Sequence, residues 1–380
     1  MLSELKLPLG QLTEEEKLIF NSSLNLGSKI PSSQIDQTAE IPDRVFKELK
    51  TAGYFGLGYP EEFGGCYSSE SALGLAIMAI SFYCASTGIV LSVHNSLVGS
   101  LLTKHCSDSQ KSDWFPKLSS GSWIGCFSLS EPEAGSDAKN IKSTYKVVDN
   151  GFLLNGQKAW VTNGPYAEFC VCFLKDENGS GISAFGVNLK SAGILVHKPE
   201  DKLGIRGAKT SSLTFENVLI PSNSLIGGSG DGLKVALHGL NHGRLGVACQ
   251  SLGIGWRAFY EAFQYASHRS AFGQKIINYQ LIQNYLSEMR TRLDHATAYT
   301  FYCLRNENRH PRECAEAKLF ASETSCFCVD KALQIFGGNG YVRDFVVERL
   351  YRDARVTTIY EGSSEIQKIN IIKFLSKELT

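Results

Sequence analysis

Glu361 lies in the nine-residue stretch IYEGSSEIQ, between Tyr360 and Gly362. A carboxylate flanked by an aromatic ring and a glycine has two roles open to it: a solvated loop charge, or a general base held beside a reacting carbon with its pKa raised by burial. Other clusters carry groups that handle ligands. CFSLSEPEAGSDA at 126–138 offers Phe127, Ser128, Leu129, Ser130, Gly135 and Ser136, and WVTNG at 160–164 offers Trp160, Val161 and Thr162. HRSAFG at 268–273 brings Arg269 and Phe272, and QIFGGNGY at 334–341 brings Gln334, Ile335, Phe336, Gly337 and Gly338. Arginine presents a planar fork suited to a pyrophosphate, and paired glycines at a helix end let a ligand approach backbone amides. Each cluster also has a plainer reading: Trp160 as a core aromatic, Ser128 and Ser130 as surface hydroxyls, Gly337-Gly338 as a helix C-cap.

The bulk composition narrows the partner. The 380 residues include 38 basic and 38 acidic side chains, so no net charge draws the chain to nucleic acid or to an acidic membrane surface, and a small partner is expected. The cysteines number eleven, and the closest pairs, Cys170/Cys172 and Cys326/Cys328, have C-x-C spacing rather than the C-x-x-C of zinc or redox sites. They read as buried free thiols of a reducing compartment, with no metal site expected. MLSELKLPLGQLTEEEK lacks a basic flank followed by an apolar core, so the expected location is the cytoplasm, or the mitochondrial matrix for a processed chain. Ser71 to Thr103 contains no charged residue and is long enough for a membrane span. Its serines, and S-V-H-N-S in its middle, instead predict two core helices around a polar bend, and no membrane span.

These residues must be positioned by elements of two kinds. Up to about Ser120 the signals are helical: Thr13 with Glu16 forms a capping box, and Val45, Phe46 and Leu49 keep helical spacing before Gly53 stops them. From about Ile124 to Ile226 short β-rich runs alternate with turns, including the D-N-G of YKVVDNGFLLNG. After GGSGDG helical spacing returns. Ile282, Tyr285, Leu286, Met289 and Leu293 share one face, and Ala315 to Phe336 forms a second long helix ended by Gly337 and Gly338. The expected domains are 1–120, 121–230 and 231–380.

Taken together, CFSLSEPEAGSDA, WVTNG, HRSAFG and QIFGGNGY running on to IYEGSSEIQ resemble the acyl-CoA dehydrogenase family in order and spacing. LGYPEEFGG at 57–65 and LGIRGAKTSSLTFENVLIP at 203–221 extend the likeness over nearly the whole chain, and NSLVGSLLTKHCSDSQKSDWFPKLSSG is most similar to short-chain, butyryl-type members. The resemblance implies an α+β multi-domain fold: an N-terminal helical domain, a central β-barrel or sandwich, and a C-terminal four-helix bundle. It implies FAD as cofactor, and the residue chemistry agrees, since a flavin needs an aromatic wall, hydroxyl donors at its ring edge and a cradle for its pyrophosphate. By the resemblance Phe127 to Ser136 lie along the flavin and Trp160, Val161 and Thr162 border its ring, with Thr162 toward N5. Ser363, Ser364 and Glu365 join the cofactor contacts. Arg269, Phe272, Gln280, Gln334, Ile335, Phe336, Gly337 and Gly338 would reach a neighbouring subunit's cofactor, which implies a homotetramer.

For Glu361 the resemblance implies the base that takes the proton α to a thioester while a hydride leaves the β carbon. One branch of the family places its glutamate immediately before an arginine on another helix. Here that arginine matches Arg244, and Gly243 precedes it, so only Glu361 is available. Ser136, Asn241, Arg244, Tyr360 and Gly362 fall on substrate positions, although Asn241 stands where several relatives have Asp. The implied reaction is oxidation of an acyl-CoA to its trans-2-enoyl thioester, with an electron-transfer flavoprotein as acceptor. The alternatives are the same chemistry on an acyl carrier protein, and a flavin- or acyl-CoA-binding protein without turnover.

Overall fold

The Thr13 hydroxyl accepts the Glu16 amide at 3.1 Å while the Glu16 carboxylate accepts the Thr13 amide at 2.9 Å, and this box starts α1 (Glu14–Lys29). The computed structural model, which describes residues 1–179 and 181–379, continues with α2 (Ser32–Thr38), α3 (Asp43–Thr51), α4 (Glu70–Tyr83) and α5 (Ala85–Ser92). A π-helical segment, Val93–Gly99, leads into α6 (Ser100–His105), and α7 (Asp108–Ser119) follows. Val45, Phe46 and Leu49 are buried on α3, as their spacing predicts.

The charge-free stretch departs from expectation. Its bend falls at Cys84, in extended backbone between α4 and α5, whereas S-V-H-N-S stays helical in the π form. The polar residues cause no break because the fold satisfies them. Asn95 donates to the Leu91 and Tyr54 carbonyls at 3.1 and 3.0 Å and accepts the Gly58 amide at 2.8 Å. Ala85–His105 is long and apolar enough to cross a membrane, yet nearly all of it is buried within the fold.

The period then changes to two. Strands β1 (Gly125–Ser128), β2 (Thr144–Val148), β3 (Gly151–Thr162), β4 (Phe169–Asp176), β5 (Ile182–Asn188), β6 (Ile194–Val196), β7 (Thr210–Ile220) and β8 (Leu225–Ile226) form one mixed sheet. Its order is β6-β7-β3-β2-β4-β5-β8, with β1 parallel to the start of β4 and β2 parallel to its end. The D-N-G turn closes the β2–β3 hairpin, with Val148 opposite Gly151. Between Lys158 and Val161 the β3–β7 register shifts, and Trp160 sits there at φ 60°, 66% exposed.

The last third is helical: α8 (Gly232–His268), a hairpin of β9 (Ser270–Ala271) and β10 (Gln274–Lys275), then α9 (Gln280–Arg305), α10 (Pro311–Phe336), α11 (Val346–Arg355) and α12 (Ser364–Leu379). Helix α10 begins four residues before the expected start, because His310 caps it and Pro311 suits its first turn. Helices α8, α9 and α10 pack on one another and α12 lies against α10, the four-helix bundle that was expected. Helix α11 comes from the charged stretch before Glu361 and ties the parts together. Arg352 grips Asp36 of α2 at 2.6 and 2.8 Å, and buried Asp353 accepts the Ile205 amide of the β region at 2.5 Å. All eleven cysteines are free, and nine are buried; Cys66 is exposed and Cys326 partly so, against the expectation for the set.

Candidate active site

Tyr360, Glu361 and Gly362 form the turn between α11 and α12, packed against α8 and α10. Glu361 has φ 53° and Gly362 φ 90°, two successive left-handed residues. The turn carries the carboxylate to Gly243 on α8, where a Cβ would lie 2.7 Å from Oε2 and 3.1 Å from Cδ. No side chain other than glycine leaves that space. Oε2 is buried without a hydrogen-bond partner, and burial pushes the carboxyl up to about 7, although Arg244 and Lys318 pull it back. Burial also lowers the Arg244 guanidinium from its ordinary value, and the nearby Glu361 opposes that fall. Arg244 donates to Asn241 Oδ1 at 2.8 Å, and its Nε has no partner. The Tyr360 hydroxyl donates to Gln250 Oε1, about two turns further along α8. Arg244, Tyr360 and Gly362 thus lie beside Glu361, with Asn241 bonded to Arg244, around a carboxylate able to take a proton near neutral pH.

The π-helical segment separates this carboxylate from the sheet. Leu97 lies 3.2 Å from the Cβ position of Gly243, and the next residue, Val98, lies 3.0 Å from that of Gly125 at the start of β1. His94, in the same segment, accepts the Gly125 amide at 2.9 Å and is bonded to the Phe55 carbonyl at 3.1 Å. Burial pushes it down to about 4, which keeps it a neutral structural link. On the strand side, half-buried Phe127 packs on Phe173, Leu129 is buried, and the Ser130 carbonyl accepts the Ala159 amide at 2.9 Å. The Ser128 hydroxyl is buried without a partner. Val161 is buried; Thr162 lies 3.4 Å from the Thr210 hydroxyl, and Gly135 and Ser136 are exposed. An orphaned hydroxyl, an outward indole and open glycine backbone fit a planar cofactor with a pyrophosphate. Trp160 is therefore no core aromatic, and Ser128 is no surface hydroxyl.

The third group gathers at the far end of α8 and α10. Arg269 caps α8, Phe272 is 98% exposed at the tip of the β9–β10 hairpin, and Gln280 and Gln334 are exposed. Gly337 ends α10, and nothing lies within 4 Å of a Cβ at Gly337 or Gly338. Ile335 and Phe336 are buried instead, with Phe336 stacked on Tyr265 at 4.1 Å, so their side chains serve the core. Ser363 accepts the Ile366 amide at 3.5 Å at the start of α12; Ser364 is buried, and Glu365 points to solvent. No described hydrogen bond joins this outer group to Glu361.

Sequence reasoning missed Lys318, Gln367 and Gln250, which hold the Glu361 turn. They sit on three different helices, and only their shared approach to one loop gives them a role.

The chain thus joins a helical domain, a mixed sheet and a helix bundle that holds a partnerless carboxylate against α8, a three-part construction. Family models match in the same order: the acyl-CoA dehydrogenase N-terminal domain over residues 28–122, the middle domain over 126–218 and the C-terminal domain over 230–376. The mitochondrial short-chain specific acyl-CoA dehydrogenase of Homo sapiens is 41% identical over 370 residues, covering 95% of this chain and 90% of that protein. The solved butyryl-CoA dehydrogenase of Megasphaera elsdenii superposes with a TM-score of 0.93 at 31% identity, covering 96% of this chain and 99% of its own. A chain from structural work on the electron transferring flavoprotein of Acidaminococcus fermentans gives a TM-score of 0.93 at 32% identity, with the same coverage. The protein belongs to the acyl-CoA dehydrogenase family.

Proposed function

We propose that this chain carries out FAD-dependent α,β-dehydrogenation of a short-chain acyl-CoA, with Glu361 as the base that takes the α proton. The observation that carries this reading is the Glu361 carboxylate itself: its Oε2 is buried without a partner and lies in the space that Gly243 leaves open, where burial pushes the carboxyl up to about 7. An α proton is far too weakly acidic for a free carboxylate, so the base must be desolvated and the charge that develops on the thioester oxygen must be stabilised. Burial desolvates Glu361, and Arg244 and Lys318 limit the rise of its carboxyl so that it can still ionise near neutral pH. Bound FAD would supply the hydride acceptor. Phe127, Ser128, Trp160 and Thr162 would hold its ring, and Arg269, Phe272, Gln334 and Gly337 would serve the FAD of a neighbouring copy in a tetramer. The short-chain preference follows the human relative, and an electron-transfer flavoprotein as acceptor follows the Acidaminococcus fermentans likeness.

The test is an anaerobic titration of the purified yellow protein with a ladder of acyl thioesters, on coenzyme A and on acyl carrier protein. Bleaching of the flavin absorbance should be fastest with short acyl-CoA. Absence of bleaching with every thioester would exclude the reading, and faster bleaching by carrier-linked substrates would move it to the biosynthetic alternative.

A further inference from the structure

Lys318 lies on the first half of α10, wholly buried, and its Nζ donates to the Gly362 carbonyl at 2.8 Å. Gln367, wholly buried in the first turn of α12, donates Nε2 to the same carbonyl at 2.8 Å and to the Glu361 carbonyl at 3.0 Å. Two successive carbonyls are therefore held by side chains from two different helices. The need is local: a glutamate at φ 53° is strained, and such a turn persists only where its surroundings over-determine it. If the turn relaxed, the carboxylate would swing away from Gly243.

We infer that Lys318 and Gln367 are positioning residues for Glu361: together they lock the left-handed Glu361-Gly362 turn, and Lys318 also supplies, beside Arg244, the positive charge that holds the buried carboxylate ionised. The inference rests on Glu361 being the base. The charged and titratable groups facing Glu361 are Arg244 from α8, Lys318 from α10 and Tyr360 from its own loop. Cys314 stands behind Arg244, and Glu323 and Cys326 stand behind Lys318. Burial lowers the Lys318 ammonium to about 8, so the cation persists through the range in which a carboxyl near 7 titrates.

Lys318→Met and Gln367→Met separate charge from geometry, with Lys318→Arg and Glu361→Gln alongside as holoenzymes. The Glu361 carboxyl is followed by NMR in protein labelled with carbon-13 at glutamate Cδ, Glu361→Gln identifying its signal, and flavin reduction is followed at each pH. Lys318→Met should raise the Glu361 pKa by about one unit and slow reduction at pH 7 by about tenfold or more. Lys318→Arg should bring the pKa back. Gln367→Met should leave the pKa in place and slow reduction about tenfold at every pH, a loss of aim alone. Wild-type rates per bound flavin in Gln367→Met, or an unshifted Glu361 pKa in Lys318→Met with loss only of thermal stability, would overturn the inference. If Lys318→Met does not fold, Lys318→Arg and Gln367→Met decide. A wild-type rate in Glu361→Gln would instead remove the base assignment itself.

Discussion

The two ends of α8 are built on opposite plans. Around Gly243 the chain closes on itself: Tyr360 is tied to Gln250, Lys318 and Gln367 hold the turn, and the Glu361 Oε2 and Arg244 Nε are buried without partners. Around Arg269 the chain opens outward, with Phe272 98% and Tyr341 84% exposed and the Gly337-Gly338 backbone uncovered. A large aromatic left in water beside a free arginine is costly for a monomer and suited to a surface that another chain covers. The contrast teaches that the groups around Glu361 all come from one chain, whereas the outer end leaves aromatic side chains and glycine backbone open to a ligand or a second copy, as the proposed function requires.

The sharpest way to break the contrast is to alter each end and ask whether the losses stay separate. Glu361→Gln should keep FAD and the oligomer while lowering flavin reduction about a thousandfold. Gly243→Leu pushes side-chain atoms into the space that Oε2 occupies, 2.7 Å from the Cβ position, and should cost about a hundredfold, again with FAD retained. Glu361→Gly with Gly243→Glu brings a carboxylate to the same space from α8 and should recover part of what Glu361→Gly loses. All three are read by rapid-mixing absorbance per bound flavin.

At the outer end, Arg269→Ala should weaken FAD retention about tenfold and loosen the oligomer together, seen in the flavin-to-protein ratio and by light scattering on dilution. The flavin that stays bound should be reduced at nearly the normal rate. The smallest effect is on stability. Because the Glu361 carboxyl titrates near 7 when folded and near its ordinary 4.5 when unfolded, its contribution is fully present below 4.5 and is lost as pH rises through 7. Glu361→Gln should therefore raise Tm at pH 8 by a few degrees and change it little at pH 4.5. Thermal melts at the two values check this.

Much of this was legible in the sequence, for reasons that differ by element. The capping box at Thr13, the α3 face and the D-N-G hairpin are local, and local chemistry fixes them. S-V-H-N-S misled because its polar groups are satisfied by Tyr54 and Gly58, some forty residues away. Glu361 and Gly243 could be paired only through resemblance, since 118 positions separate them and no periodicity joins α8 to the turn after α11. Ile335 and Phe336 sit within the motif that the resemblance assigns to the cofactor yet turn inward, because helical spacing at the end of α10 gives them to the core. Lys318 and Gln367 carried no signal at all. A lysine in a helix that carries other charges reads as solvated until the fold buries it.

The central claim is that Glu361 is the base, and exchange of substrate hydrogen tests it without any redox step. A thioester with oxygen or sulfur in place of the β carbon has an α proton to lose and no β hydride to give. In deuterated water the wild-type protein should exchange its α hydrogens for deuterium, followed by proton NMR, and Glu361→Gln with its full complement of FAD should exchange them no faster than buffer. Exchange by Glu361→Gln at the wild-type rate would place the base elsewhere and contradict the account.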